Sequence, residues 1–153
     1  MTRSKSWMPA LNSEGYSKAR FLGLFDHEFE NNDGEIFTRA VILFEVLGRS
    51  GNFKQVPQLV SPVFNEKNAL GRFASAIGFK HEIITKTDSE GFVLDESDNI
   101  HELDEIIENA VGKTFILKMK PLPDKPGLWT IDYTTMKEFV PPVVLNEELP
   151  KAS

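Results

Sequence analysis

The stretch Ile36-Phe-Thr-Arg-Ala-Val-Ile-Leu-Phe-Glu-Val46 decides how this chain folds. Read with the two-residue period of a strand, one phase holds Ile36, Thr38, Ala40, Ile42, Phe44 and Val46. The other holds Phe37, Arg39, Val41, Leu43 and Glu45. A strand with one wet face alternates apolar with polar residues. This one is apolar on both sides in its middle, so both sides need a cover. One phase fills a core. Val41 and Leu43 on the other phase require a helix, a second subunit or bound bases.

The neighbours of this stretch are strands as well. Upstream, residues 17–29 carry Phe21, Leu22, Leu24 and Phe25, with Gly23 placed for a bend or bulge. Asn31-Asn-Asp-Gly34 has turn chemistry and joins the two strands as an antiparallel hairpin spanning 17–29 and 35–47. A third strand is expected over 54–64, at an edge or broken, because Pro57 and Pro62 have no ladder donor. Ala69, Leu70, Phe73, Ala74 and Ile77 share one helical face, which predicts a helix over 66–78 with Asn65 as N-cap and Gly78 as stop. Residues 80–100 are polar and read as a loop or a short irregular pairing. Leu103, Ile106 and Ile107 predict a second short helix ending at Gly112. Two last strands follow at 114–120 and 128–134, joined by a Pro-rich turn.

Three strands, helical material and two more strands is the order of an OB-fold, a five-stranded Greek-key barrel with a helix between strands three and four. The fold class is therefore all-β with minor helix. The domain is expected over 16–139, with a flexible N-terminal arm at 1–15 and an extended C-terminal tail at 140–153.

Composition narrows the function. The 153 residues suit one domain plus tails. No apolar run is long enough to span a bilayer, and the basic start has no hydrophobic stretch behind it as a signal peptide would. The chain has no cysteine, which excludes disulfides and thiolate metal sites and points to a cytoplasmic setting. A net charge of −6 argues against a general DNA-coating protein, but the charge is segregated. Acids concentrate in residues 26–35 and 88–108, and bases in 18–20, 49–54 and 118–125.

The segment EGYSKARFLGLFDHEFENNDGEIFTRAVILFEV resembles the opening of a family of small phage-encoded proteins. The matching residues are Ala19 and Arg20, Gly23 and Asp26 in the turn out of the first strand, and Phe44 and Glu45 at the end of the second. Lys67, Asn68, Ala69 and Leu70 fall on a family Lys-Ser-x-Leu, with asparagine in place of serine. Val111, Gly112 and Lys113 fall on a Leu-Gly-Lys, and the likeness runs over roughly residues 14 to 135. It implies an OB-fold single-stranded DNA-binding protein of phage replication or recombination, acting in the host cytoplasm beside replication or recombination proteins.

Single strands are held by aromatic stacking and by cations that follow the phosphates. An OB-fold binds along strands two and three and the loops between strands one and two and between four and five. On those elements the candidates are Phe37, Arg39, Arg49, Phe53, Lys54, Lys118, Lys120 and Lys125, joined by Arg20 of the matched start. The acidic loop from Asp26 to Glu35 is expected to repel phosphate nearby. Trp129 and Tyr133 read as core or groove edge, and Trp7 lies in the arm. No cofactor is expected. His101-Glu102 lacks the second histidine of the zinc-protease helix, Glu105 standing there. The loop at 31–35 is too short for a calcium site, and no nucleophile–base pattern stands out, so no enzyme is expected. A structural or adaptor module that assembles through its apolar strand face is the competing reading. An acidic decoy for a DNA-binding protein is a third. A homodimer is expected, because the strand is apolar on both sides.

Overall fold

The two phases of the second strand separate as their side-chain period requires. Ala40, Ile42, Phe44 and Val46 are at most 2% exposed, whereas Arg39, Val41, Leu43 and Glu45 are half-buried on the other side. The computed structural model describes residues 7–125 and 128–141. In chain order its elements are β1 (Ser17–Glu30), β2 (Ile36–Leu47), β3 (Phe53–Val60), α1 (Ala69–Ala76), β4 (Ile83–Thr87) and β5 (Val93–Asp98). A 3-10 turn (Ile100–Glu102) then leads into α2 (Leu103–Ala110), β6 (Thr114–Pro121) and β7 (Trp129–Glu138).

The main sheet has five strands in the order β3-β2-β1-β6-β7, with every neighbouring pair antiparallel. β1 is the hub. Its first residues pair with β6 (Ala19 opposite Phe115) and it pairs with β2 from Ala19 to Glu30 (Phe21 opposite Phe44). The bend expected at Gly23 is a bulge that shifts the β1–β2 register between Phe21 and Gly23. The inner face packs on the helices through one cluster that includes Phe21, Phe44, Phe73, Leu103, Ile107, Phe115, Leu117 and Tyr133.

The expected closed barrel is corrected. β3 and β7 are the two edges of the sheet, and no backbone ladder joins them. Pro57 has no N–H to offer across this seam. A side chain spans the seam instead. Gln58 Nε2 donates to the Trp129 carbonyl at 3.4 Å. Its Oε1 faces three donors: Thr130 Oγ1 at 3.2 Å, the Ile131 amide at 3.4 Å and the Tyr133 hydroxyl at 3.4 Å. Burial pushes the Tyr133 pKa upward, which keeps that hydroxyl a donor. β3 is also shorter than expected, ending at Val60 before the Ser61-Pro62 turn.

Of the two readings left open for residues 80–100, the short irregular pairing holds: β4 and β5 pair antiparallel, with a register shift between Lys86 and Thr87, as a separate two-stranded sheet in which every strand residue is exposed. Other expectations change. The first helix is two turns long and is capped by Asn68, whose side chain accepts from the Gly71 amide at 2.9 Å. Asn65 instead holds the preceding turn by accepting from the Lys67 amide at 2.9 Å. Asparagine and serine are both strong N-caps, so Asn68 does the work expected of a serine at that position. Finally, the described part of the arm is attached. Ala10 donates to the Leu47 carbonyl at 2.9 Å and Arg49 to the Met8 carbonyl at 3.0 Å, which ties residues 8–11 beside the end of β2. Residues 1–6 and, in the tail, residues 142–153 lie outside the described residues. Among the described residues no helix is long and apolar enough to cross a membrane.

Gln58→Ala leaves the Tyr133 hydroxyl and the first residues of β7 without their partner across the seam. The expected cost is about 1–3 kcal/mol in urea denaturation, with faster amide exchange over residues 129–133. Unchanged stability and exchange would show that the seam does not depend on this side chain.

Candidate nucleic-acid interface

The outward phase of β2 is flanked on both sides by strands, and the register fixes its neighbours. At the hairpin end Phe37 lies opposite Phe29, Arg39 opposite His27, and Val41 between Phe25 and Leu59. Farther along, Leu43 lies between Gly23 and Pro57, Glu45 between Arg20 and Gln55, and Leu47 beside Phe53. Phe25, Phe37, Phe53 and Leu59 on this face are 43–53% exposed. From Phe37 to the level of Phe53 is ten residues of strand, or about 33 Å. The surface is a shallow apolar strip with an arginine near each end.

Gly23 is necessary to the strip. Its backbone has φ +149°, and a β-carbon there would lie 2.8 Å from the Phe25 ring. The ring therefore rests flat over the bulge, beside Leu43. Phe25 and Leu59 give Val41 its partial cover, and among the described residues no helix lies over this face. At the tip His27, Phe29 and Phe37 form a run of rings, with centroids 4.5 Å and 5.7 Å apart.

The acidic loop does not line this strip. Strand alternation places Asp26, Glu28 and Glu30 on the phase opposite to Phe25, His27 and Phe29. The expected repulsion of phosphate is thus directed to the other side of the hairpin.

The nine candidate residues do not form one cluster. Phe37 and Arg39 sit together near the β1–β2 turn, where Arg39 Nε donates to the Val60 carbonyl at 3.4 Å. Arg20 and Phe53 meet at the other end, the guanidinium 5.7 Å from the ring centroid, and Arg20 is also ion-paired to Glu45. Arg49 is exposed in the β2–β3 turn and Lys125 in the β6–β7 turn. Lys54 stands opposite Val46, on the phase opposite to Phe53, with its ammonium 5.2 Å over the Trp7 ring. Lys118 stands on the outward side of β6 against Tyr16. Lys120 is tied to Asp132 at 3.6 Å. The Thr134 hydroxyl, donating to Asp132 at 2.5 Å, is the main cause that holds the Asp132 carboxyl below its ordinary pKa, with Lys120 adding to it.

Comparison with known proteins finds nothing similar. The chain matches no protein-family model, no curated protein and no solved structure. The reading of this surface therefore rests on its geometry.

Two features escaped the sequence. Both tryptophans of the chain line one groove of about 430 Å³ at the β3–β7 seam, with Lys54, Leu59, Leu122 and Leu128. Trp129 is thus the groove edge that its alternation allowed. Trp7 reaches the groove because Gly48 has no side chain: a β-carbon there would lie 2.5 Å from the indole nitrogen. The second feature is a set of lysines outside the predicted loops, Lys18 and Lys137, each set against an aromatic ring. The tryptophans carried a signal, being large aromatics beside turns; Lys18 stood in the basic run 18–20, whereas Lys137 carried none. Among the described residues no group of three or more His, Cys, Asp or Glu side chains is arranged to hold a metal.

The lowered pKa of Asp132 has a definite sign. Its contribution to stability is present above the ordinary carboxylate value of about 3.9 and is lost as pH falls through the lower folded value. The urea midpoint of the wild type should therefore exceed that of Asp132→Asn at neutral pH. The difference should shrink as the pH is taken down through the acid range. A difference that does not change with pH would mean that the Thr134–Asp132–Lys120 contacts contribute nothing.

Proposed function

We propose that this chain binds single-stranded DNA without base preference, along the outward face of β1, β2 and β3. The observation that carries this reading is the strip itself. Exposed phenylalanines alternate with aliphatic side chains over three strands, Arg39 and Arg20 stand near its ends, Glu45 is the acid on this face of β2 and is paired with Arg20, and Asp26, Glu28 and Glu30 point away. A flat aromatic–aliphatic surface suits unpaired bases, because every base has a stacking face and only an unpaired base exposes it. A duplex presents a uniform charged rim that such a strip cannot grip.

The strand order supports an OB-type architecture for this surface. β1 is shared by both halves of the sheet, the first helix follows the third strand, and β3 and β7 run parallel across the seam that Gln58 bridges. The groove with Trp7 and Trp129 adjoins the β6–β7 turn through Leu122 and Leu128, and Lys54 lines it. The resemblance to phage single-strand binders supports a role in phage DNA replication or recombination in the host cytoplasm.

A second reading has its own observation. The β4–β5 hairpin exposes Ile83, Ile84, Phe92, Val93 and Leu94, each 58–66% accessible, and an isolated two-stranded hairpin is marginal in water. A structural or adaptor module would use that hairpin, or the strip, to assemble with itself or with a partner. Sedimentation at micromolar concentration distinguishes the two. Assembly through the strip would compete with DNA, whereas assembly through the hairpin would not.

Titration with oligothymidine at two salt concentrations, followed by tryptophan fluorescence, tests the DNA reading. Affinity should fall with salt. Phe37→Ala should cost about 1–3 kcal/mol of binding, and Arg39→Ala should lower the salt slope by about 0.7. Lys120→Ala should change the slope less than Arg39→Ala, because Asp132 already holds that ammonium. No change in fluorescence or mobility at low salt would leave the assembly reading in its place.

A further inference from the structure

The outward side of β1, β6 and β7 carries a second concentration of cations and rings that the strip does not use. Lys118 and Lys137 place their ammonium groups 5.2 Å and 4.8 Å from the centroid of one half-buried ring, Tyr16. Lys18, beside them in register through Ile116, stands 5.0 Å over Phe139. None of these three lysines has a carboxylate within ion-pair distance among the described residues. Asp132 lies opposite Lys118 in the ladder, yet it is engaged by Thr134 and Lys120.

Each ammonium is attracted to the ring, but the two repel one another, and an anion at the site would relieve that repulsion. A chain of net charge −6 has enough carboxylates to neutralise them locally, but among the described residues the nearest in the ladder, Asp132, is paired with Lys120 instead. Phosphates of a polynucleotide would supply the missing negative charge, and Tyr16 and Phe139 would supply faces on which bases stack. The cluster is also continuous with the strip. Lys18 and Arg20 project from the same side of β1, two residues and about 7 Å apart.

We infer that Lys18, Lys118 and Lys137, with Tyr16 and Phe139, form a second contact site for the same single strand, which leaves the β1–β2–β3 strip at Arg20 and continues across β1 onto β6 and β7. The inference rests on the single-strand reading above and extends the path beyond the faces of the second and third strands. A short oligonucleotide fills one part of this path, and a long one fills both.

The test uses the full chain and labelled oligothymidines of about 10 and about 30 nucleotides, the first within and the second well beyond the site size of about 4–16 nucleotides of a single OB-type module. Anisotropy is read over a salt series. Three lysines that each neutralise one phosphate contribute about 2 to the slope of log affinity against log salt for a single strand. The Lys18→Ala/Lys118→Ala/Lys137→Ala variant should therefore lose about that much slope on the long oligonucleotide. Tyr16→Ala should weaken long-oligonucleotide binding, and Tyr16→Phe should restore it. Circular dichroism checks that each variant folds, and Lys118→Gln alone, a milder change, should give about a third of the slope effect.

A triple variant with wild-type slope, alongside a Phe37→Ala/Arg39→Ala variant that binds weakly, overturns the second site and leaves the strip intact. The reverse pattern supports the lysine cluster and overturns the strip. A wild-type chain that binds neither oligonucleotide removes the single-strand reading and this inference with it.

Discussion

Phe44 is the contact on which the rest of the structure depends. Its ring meets Phe21 of β1 at 5.3 Å, Phe73 of α1 at 6.1 Å, Phe115 of β6 at 6.4 Å and Tyr133 of β7 at 6.5 Å. One side chain thus touches four elements that are far apart in the chain. Phe73 closes the cluster against Phe21 and Tyr133 at 5.0 Å and 5.7 Å, which seats α1 on the inner face of the sheet. Aromatic pairs at tilted and edge-on angles add to the burial of apolar area. Because Phe44 faces inward, strand geometry forces Leu43 and Glu45 outward. The packing of the core and the character of the exposed strip are therefore one decision.

The long β1–β2 hairpin turns that decision into a charge pattern. The segment from Asp26 to Glu30 alternates acids with His27 and Phe29. In a strand this alternation becomes two faces, one acidic and one aromatic. The bulge at Gly23 resets the phase, so that Phe25 joins the face of Arg20 rather than that of Phe21. Without the extra residue the aromatic run at the tip and the arginine at the base would lie on opposite sides. The same chemistry would then have no common surface.

The seam between β3 and β7 shows a different balance. A proline in the edge strand removes a donor, and one glutamine side chain does work that a ladder does elsewhere. The opening also creates the groove in which Trp7 and Trp129 stand. Apart from Glu45, which is paired with Arg20, the negative charge is carried off the strip. Much of it lies on the exposed β4–β5 hairpin, where Glu82, Asp88, Glu90, Asp95, Glu96 and Asp98 outnumber the lone Lys86. An acidic chain can keep basic surfaces if its acids are gathered onto separate elements.

The sequence by itself determined the local grammar of this protein. The period of Ile36–Val46, the Asn31–Gly34 turn, the apolar face around Leu70 and Phe73, and the helix around Ile107 are all readable because side-chain period and turn chemistry are local properties. Even the bend at Gly23 is visible. The hairpin at 83–98 is only half visible, as a short irregular pairing left beside a loop, since its strands alternate too weakly to stand out from a polar segment. What only the tertiary structure decided is which residues share a surface. Phe37 and Phe53 belong to the same strip but lie at opposite ends of it. Lys54, next to Phe53 in sequence, faces Trp7 instead. Lys120 is taken by Asp132, whereas Lys18, Lys118 and Lys137 are not taken by any described carboxylate. A neighbour across a sheet is set by register, and register depends on a bulge, an open seam and a core ring whose partners are separated by long stretches of chain.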